Sequence, residues 1–245
     1  MVTTKKLPVP RVEVIFSPAL YPYRLIQDKH TVIMADILRA STTICAALYH
    51  GVSAIKPVTS FEEAQAEKSR GYLVAAESHG VKPAFADFGN SAFEFMNPDL
   101  TGKKLVYCTT NGTKSILMAR DADTVAIGAF SNLSRLSGFL SQHGKDVVIL
   151  CSGWKNAFNL EDSVFAGALC SNLLFSGNFV TSCDSAHAAV DLWEAAKNDL
   201  SQYMMKAAHR TRLYNLQLAG IIPYSLTVDT CPVVPILKDG WLISA

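Results

Sequence analysis

Short apolar stretches alternate with longer segments of helical periodicity through the first two thirds of the chain. The short stretches are rich in Val, Ile, Leu and Ala, which is typical of buried strands. Strands are predicted over 31–35, 52–58, 71–76, 105–108, 124–130 and 147–150, with helices between them and a longer helix over 163–175. This order predicts an α/β fold with a mixed or mostly parallel sheet and covering helices.

The pattern changes after residue 180. Two helices are predicted over 184–197 and 198–219, the second ended by Gly220, and an extended segment follows over 225–237. No linker or internal repeat divides the chain, so we expect residues 1–245 to form a single domain. Its sheet could still be arranged as one body or as two α/β lobes, because the pattern leaves the strand order open.

Polar residues concentrate where predicted strands end and helices begin. Three such clusters occupy 36–43, 109–114 and 151–162, and a fourth strand ends at Glu77 before the loop over 87–91. Ligands of open α/β sheets bind outside the carboxyl ends of the strands, so we expect these clusters to line one crevice.

The side chains of these clusters favour the binding of a metal ion and an anion. The candidate Mg2+ ligands are carboxylates, namely Asp36, Glu77, Asp87, Glu161 and Asp162. The candidate anion-binding cations are Arg39, Lys114, Lys155, Arg210 and Arg212. Hydroxyl groups that can act as neutral donors belong to Ser41, Thr42, Thr43, Ser91, Thr110 and Thr113. Together they indicate a phosphate ester on a small anionic molecule.

Structural roles remain open for several of these residues. Asp36 and the pair Glu161-Asp162 are equally suited to cap helices, and Asn111-Gly112 is a common turn pair. Trp154 is typical of a packing residue, and a lone His209 is typical of a structural histidine.

Composition narrows the classes of partner. The chain has 245 residues, a formal net charge of +1 and no basic run, so nucleic acid is not an expected partner. The segment 1–8 lacks the apolar core of a signal peptide, and no apolar run approaches the roughly 18 residues of a membrane span. We therefore expect a cytoplasmic protein with no membrane partner. The six cysteines form no C-x-x-C pair and are expected to be core residues.

Five ordered motifs resemble the ComB family of 2-phosphosulfolactate phosphatases. They are D-I-L-R-A-S-T-T over 36–43, D-F-G-N-S over 87–91, T-T-N-G-T over 109–113, C-S-G-W with N-L-E-D and A-G-A over 151–168, and a closing pattern that runs from Ala208-His209 through Arg212-Leu213 and Asp229 to Pro235. The resemblance implies a ComB-like fold with its site at the carboxyl ends of the strands. It also implies Mg2+-dependent hydrolysis of 2-phospho-3-sulfolactate to 3-sulfolactate and phosphate, a step associated with coenzyme M biosynthesis.

With the strand-end clusters, the resemblance assigns roles to individual residues. The expected catalytic residues are Asp36, Arg39, Asn111, Glu161 and Asp162, of which Asp36, Glu161 and Asp162 are the expected metal ligands. The expected substrate-binding residues are Thr42, Thr43, Asn90, Ser91, Thr110, Gly112, Thr113, Trp154, Lys155 and His209. The expected partner is a small anionic phosphorylated substrate, and the oligomeric state stays open, with a homodimer as one candidate.

Departures from the family pattern leave alternatives open. Ser78 stands where many relatives have Arg, Ala92 replaces a usual Pro, and Ala157 stands where relatives often have a basic residue. A phosphatase of a different 2-phosphorylated acid, a non-catalytic anion-binding or regulatory protein, and a sugar-phosphate isomerase are therefore the alternatives.

Other phosphatase chemistries fit the sequence less well. An aspartyl-phosphate enzyme requires D-x-D, which 36–38 lacks, and R-H-G of a histidine phosphatase is absent. The segment from Cys108 to Lys114 has the spacing of the cysteine phosphatase motif C-x5-R, but Lys replaces the bidentate Arg.

Overall fold

A computed structural model describes residues 9–245. The segment 1–8, for which the sequence predicts no signal peptide, lies outside the described residues. Over residues 9–245 the strands are β1 Val12–Ile15, β2 His30–Ala35, β3 Ala54–Val58, β4 Leu73–Ala76, β5 Lys104–Cys108, β6 Thr124–Gly128, β7 Asp146–Cys151, β8 Pro235–Lys238 and β9 Trp241–Ser244. The α-helices are α1 Ala40–Tyr49, α2 Phe61–Ser69, α3 Gly112–Met118, α4 Leu133–His143, α5 Leu160–Phe175, α6 Asp184–Ala196, α7 Leu200–Tyr203, α8 Ala208–Asn215 and α9 Ile221–Ser225.

All the strands belong to one mixed sheet, in the order β1-β7-β2-β6-β8-β9-β3-β5-β4. Strands β1, β7, β2 and β6 form one parallel group, and β3, β5 and β4 form a second. The hairpin of β8 and β9 joins the groups through antiparallel pairing with β6 and β3. The predicted α/β class with a mixed, mostly parallel sheet is confirmed.

The two parallel groups run in opposite directions. Ala126 of β6 pairs antiparallel with Ile236, Ile55 of β3 pairs antiparallel with Leu242, and β8 and β9 are antiparallel to each other. The carboxyl ends of β2 and β5 therefore lie at opposite edges of the sheet. Parallel strand ends that meet at one edge, the basis for predicting a shared crevice, are not the arrangement found here. Helix α1 contacts both β6 and α3, so it links the two groups where the strand-end segments approach each other.

The central strands and their helices are buried on almost every side. Every residue of β2 is buried, as is every residue of α1 except Tyr49. Residues 161–170 of α5 are all buried, among them Glu161 and Asp162. A second, smaller apolar cluster lies under α2, around Val74 and Val106. Within the described residues, no helix combines the length and apolarity needed to cross a membrane.

Most predicted elements are present, with shifted ends. Ser60 caps α2 by accepting a hydrogen bond from the Glu63 amide at 3.1 Å, and Glu63 in turn accepts from the Thr59 amide at 2.9 Å. The strand predicted over 124–130 ends at Gly128, because a 3-10 helix begins at Phe130. Strand β1 and the β8-β9 hairpin were not predicted, and α9 precedes the segment expected to be extended.

The prediction of one helix over 198–219 is wrong. Helix α7 ends at Tyr203, a 3-10 turn follows, Ala207 is extended, and α8 begins at Ala208. Met204, Ala207 and Leu213 are all buried. In one continuous helix Leu213 would face about 180° away from Met204, because nine residues at 3.6 residues per turn make two and a half turns. Burial of all three side chains therefore favours the break, which helix propensity does not reveal.

Helices α5 and α6 approach closely at Gly167, which makes this residue a test of the packing. A Cβ atom at Gly167 would lie 1.9 Å from the Ala189 carbonyl oxygen, whereas one at Gly138 on α4 would meet nothing within 4 Å. We expect Gly167→Ala to lower the free energy of unfolding by at least about 2 kcal/mol, because α6 must move. Gly138→Ala should leave it unchanged or raise it by up to about 1 kcal/mol. Urea unfolding measures both, and equal effects would contradict this packing.

Candidate active site

The carboxylate of Asp162 ties together the segments that follow β2 and β7. Its Oδ1 accepts a hydrogen bond from the Ile37 amide at 2.8 Å, and its Oδ2 accepts from the Gly153 amide at 3.1 Å and from Asn159 Nδ2 at 2.9 Å. Burial, together with the charges of Asp36 and Glu161, raises the pKa of Asp162 well above its usual range. Asp162 therefore acts as a structural anchor in this arrangement, since both oxygens already have protein partners.

Glu161 has an oxygen without a protein partner. Its side chain is 1% exposed, and its Oε1 contacts Asn159 Nδ2 at 3.3 Å and His209 Nδ1 at 3.0 Å. Its Oε2 is buried and has no hydrogen-bond partner among residues 9–245. A buried carboxylate oxygen without a partner is costly, so Glu161 is ready to receive a cation or a donor from a ligand.

Asp36 follows β2 directly and lines the central pocket of the molecule. Its Oδ1 accepts a long hydrogen bond of 3.4 Å from the Ala40 amide at the start of α1. Burial raises the pKa of Asp36 to about 6, although the nearby His209 lowers it, and the charge of Glu77 raises it further. The ionised form of Asp36 is therefore held in an unfavourable site unless a positive group compensates it.

Two arginines supply positive charge to the same pocket. Arg39 is buried, and its Nη2 donates to the Gly80 carbonyl at 3.3 Å. The guanidinium carbon of Arg212 lies 3.6 Å from the centre of the Trp154 ring, and Arg212 Nη1 is buried without a partner among the described residues. Burial lowers the pKa of Arg212, the charge of Glu77 raises it, and that of Arg39 lowers it. Both arginines line the same pocket, so an anion bound there would be attracted by two positive charges.

The pocket itself is small and highly charged. It has a cavity volume of about 20 Å³ and is lined by segments that follow strands of both parallel groups of the sheet. Its polar and aromatic lining residues are Asp36, Arg39, Glu77, Asn90, Asn111, Trp154, His209 and Arg212. Glu77 is fixed at the end of β4 by Thr110 Oγ1 at 3.1 Å, and Asn90 Oδ1 accepts from the Tyr107 hydroxyl. The strand-end clusters thus meet at one pocket, as expected, although the strands that carry them run in opposite directions.

The hydroxyl groups of the motifs mostly hold the loops in shape. Thr42 donates to the Ile37 carbonyl at 3.0 Å, and Thr113 and Thr109 exchange hydrogen bonds of 3.2 Å across the turn after β5. Thr43 is buried within α1 beside the apolar core, and Ser91 precedes a 3-10 helix. None of these five threonine and serine side chains lines the central pocket.

Gly112 serves the site through its lack of a side chain. A Cβ atom there would lie 2.6 Å from the Ala40 Cβ and 2.9 Å from Asp36 Oδ2. The close approach of α3 to α1 therefore requires glycine at this position.

Two further expected residues lie outside the central pocket. Lys155 is exposed, with its Nζ 5.7 Å from the Trp154 ring centre. Asp87, one of the candidate carboxylates for Mg2+, pairs with Lys68 Nζ at 2.6 Å and accepts from the Val74 amide at 2.8 Å. Although burial raises the pKa of Asp87, its bonds to Lys68 and Val74 lower it overall. Asp87 therefore stabilises the start of the D-F-G-N-S loop, and Asn90 is the member of that loop that reaches the pocket.

Two candidate anion-binding cations, Arg210 and Lys114, lie outside the central pocket. So does Cys108, the candidate nucleophile of a cysteine phosphatase. Arg210 stacks on Tyr214 at 4.4 Å, and Lys114 is exposed beside a separate groove. Burial raises the pKa of the Cys108 thiol to about 11, which opposes formation of the thiolate that a cysteine phosphatase needs. Arg212 and Glu77, which the sequence only placed among groups of candidates, are both part of the pocket. The sequence does carry a signal for Arg212, since it lies one helical turn after His209 and therefore on the same face of a helix.

The carboxylates of the site differ in their suitability for Mg2+. Among residues 9–245 no group of three or more His, Cys, Asp or Glu side chains is already gathered around a metal position. Mg2+ commonly binds through one or two carboxylates while water and substrate phosphate complete its shell. Asp36 and the unpartnered Oε2 of Glu161 fit that pattern, whereas the fully bonded Asp162 does not.

An arrangement of two arginines beside incompletely satisfied carboxylates is typical of enzymes that act on phosphate esters. Comparison with known proteins agrees. A family model described as 2-phosphosulpholactate phosphatase matches residues 15–240. Proteins named "Probable 2-phosphosulfolactate phosphatase" are 34% identical in Thermotoga maritima, over 87% of this chain and 91% of the relative, and 34% identical in Carboxydothermus hydrogenoformans, over 95% and 96%. A third, from Caldanaerobacter subterraneus, is 33% identical over 89% and 91%.

The chain therefore belongs to the 2-phosphosulfolactate phosphatase family, as its motifs indicated, and it is a phosphoric monoester hydrolase. The matched region begins within β1 and ends between β8 and β9, so it contains every residue of the central pocket.

The raised pKa of Asp36 predicts an unusual effect of its removal. A folded pKa of about 6 exceeds the unfolded value of about 3.9, so the folded protein holds more protons between these values and loses stability as the pH rises through them. This difference in pKa lowers the free energy of unfolding by about 3 kcal/mol at pH values above both pKa values. In EDTA, Asp36→Asn should therefore raise the melting temperature, and by more at pH 8 than at pH 5.

Asp87→Asn is the matched control, because the pKa of Asp87 is shifted in the opposite direction. It should lower the melting temperature at pH 8 by removing the partner of Lys68. A fall of similar size for Asp36→Asn would contradict the unfavourable burial of its charge.

Proposed function

We propose that this enzyme hydrolyses 2-phospho-3-sulfolactate to 3-sulfolactate and phosphate, and that the reaction depends on Mg2+. The observation that carries the proposal is that Arg39 and Arg212 line one pocket together with Asp36. Glu161, which has an unpartnered oxygen, contacts His209 in the wall of that pocket. Phosphoryl transfer depends mostly on such positioning and charge stabilisation. The relatives whose names mention this substrate support the choice of ester.

Each side chain has a distinct role in this proposal. Arg39 and Arg212 bind the phosphoryl oxygens and the acid group of the substrate. Asp36 and Glu161 would hold Mg2+, which would neutralise phosphoryl charge and activate water for attack on phosphorus. Asp162 keeps the segments after β2 and β7 in register with each other. Trp154 supports the guanidinium group of Arg212 by stacking.

His209 is the proposed proton carrier. Its Nδ1 faces Glu161 at 3.0 Å, which orients the ring and leaves Nε2 for the pocket that His209 lines. As water attacks phosphorus and the ester P–O bond breaks, Nε2 accepts the proton of that water. The same proton can then pass to the alkoxide oxygen of the leaving hydroxy acid.

Phosphate release from 2-phospho-3-sulfolactate tests the activity and its metal dependence together. With Mg2+ we expect rapid release, and with EDTA we expect its loss and its recovery when Mg2+ is restored. Full activity after prolonged chelation would contradict the metal role. Tight binding of the ester without any phosphate release would instead support the non-catalytic alternative.

Two variants separate the metal-binding carboxylates from structural ones. Glu161→Gln should lower kcat by at least about 100-fold, because it removes the negative charge that would hold Mg2+ and that stabilises a protonated His209. Asp87→Asn should retain kcat, since Asp87 lies outside the pocket and pairs with Lys68. Circular dichroism verifies folding of both, and a folded Glu161→Gln protein with normal kcat would exclude the assigned role.

A further inference from the structure

A second cavity adjoins the central pocket, which is the active-site pocket of the proposed function. It has a volume of about 330 Å³ and shares Trp154, His209 and Arg212 with that pocket. We refer to it as the side cavity. Its other lining residues are Ala157, Phe158, Asn159, Leu160, Glu161, Lys206, Ala207 and Ala208.

The two cavities differ in size by more than tenfold. The active-site pocket, at about 20 Å³, has room for little more than the reacting group, so the rest of a bound ester must extend into adjoining space. A cavity of about 330 Å³ lies within the range that binds organic ligands. The shared wall of Trp154, His209 and Arg212 makes the side cavity the continuation of the substrate site.

The side cavity is lined mainly by apolar groups. Phe158, Leu160 and the methyl groups of Ala157, Ala207 and Ala208 form most of its surface. Of its two cations, Lys206 places its Nζ 3.6 Å from the Tyr203 ring centre, and Arg212 lies at the boundary with the active-site pocket. An anionic substituent deep in this cavity would lose hydration without a dedicated partner, whereas an apolar one would gain contact.

The boundary between the cavities offers recognition for one acid group. Arg212 Nη1 is buried without a partner in the described part of the chain, although Arg212 lines both cavities. A carboxylate of the substrate can accept from this nitrogen while the phosphate lies beside Arg39. A substituent on the next carbon then points to the apolar walls.

We propose that the enzyme accepts 2-phosphorylated hydroxy acids that carry an apolar substituent of aryl size at C3, and that this substituent fills the side cavity. The inference rests on the proposed phosphatase activity and extends it to a second class of C3 substituent. The reaction is the same hydrolysis, in which water adds to phosphorus, the C2–O–P ester bond breaks at phosphorus, and the hydroxy acid and phosphate are released.

The test compares kcat/KM for phosphate release from 2-phospho-3-phenyllactate, 2-phospho-3-sulfolactate and 2-phospholactate, with Mg2+ present. We expect the phenyl ester to exceed 2-phospholactate by at least about tenfold, because the ring gains the burial that a methyl group lacks. Release from the other two esters with no gain for the phenyl ester would overturn the inference and leave the phosphatase activity intact.

Variants of Ala157 test whether the preference for the phenyl ester arises in the side cavity. Ala157→Trp should fill the cavity and reduce the advantage of the phenyl ester over 2-phospholactate at least about fivefold. Ala157→Arg should shift the preference toward the sulfonate by adding a cation. Ala195→Trp, at an exposed position on α6 outside both cavities, is the matched control and should change neither ratio. An unchanged ratio in both Ala157 variants would overturn the location.

A binding measurement without turnover distinguishes the proposed role of the side cavity from the proposed phosphatase reaction. Calorimetry with the phenyl and methyl esters in EDTA measures occupancy of the side cavity even if no ester is hydrolysed. A Kd at least about tenfold lower for the phenyl ester supports the cavity, and equal Kd values overturn it. Absence of phosphate release from every ester, with such a difference in Kd, would overturn only the proposed phosphatase reaction.

Discussion

The buried carboxylate of Asp162 is the interaction on which the site depends. It accepts hydrogen bonds from the Ile37 and Gly153 amides, which belong to the segments after two neighbouring parallel strands. Each of these buried N–H groups would cost about 1–3 kcal/mol if it lost its acceptor. Ile37 follows Asp36 and Gly153 precedes Trp154, so this one carboxylate fixes the backbone beneath both a proposed metal ligand and the platform of Arg212.

The charges around this anchor are balanced poorly within the protein itself. The carboxyl groups of Asp36 and Asp162 are buried close to Glu161, and the pKa values of both aspartates are raised. Unpartnered polar atoms remain on Glu161 and Arg212 within the described residues. Such unsatisfied groups lower stability, but they are arranged for ligands that bring charges of both signs. A phosphate ester with Mg2+ is a ligand set of this kind.

Local features of the site were predictable from the sequence, and long-range ones were not. The residues that follow β2 and β5 were recognisable because polar motifs interrupt apolar stretches at the strand ends. The opposite direction of the two strand groups was hidden, since it depends on the β8-β9 hairpin, whose short strands leave little pattern. Thr113 shows a second limit, because a loop hydroxyl has the same sequence signal whether it binds a ligand or closes its own turn.

The central claim is that Asp36 and Glu161 receive the metal while Asp162 remains a structural anchor. A crystal structure with Mg2+ and a non-hydrolysable phosphate analogue tests it most directly. The account predicts Mg2+ bound to an oxygen of Asp36 and to Glu161 Oε2, with the hydrogen bonds from the Ile37 and Gly153 amides to Asp162 preserved. Direct coordination of Mg2+ by Asp162 with loss of those two hydrogen bonds would contradict it.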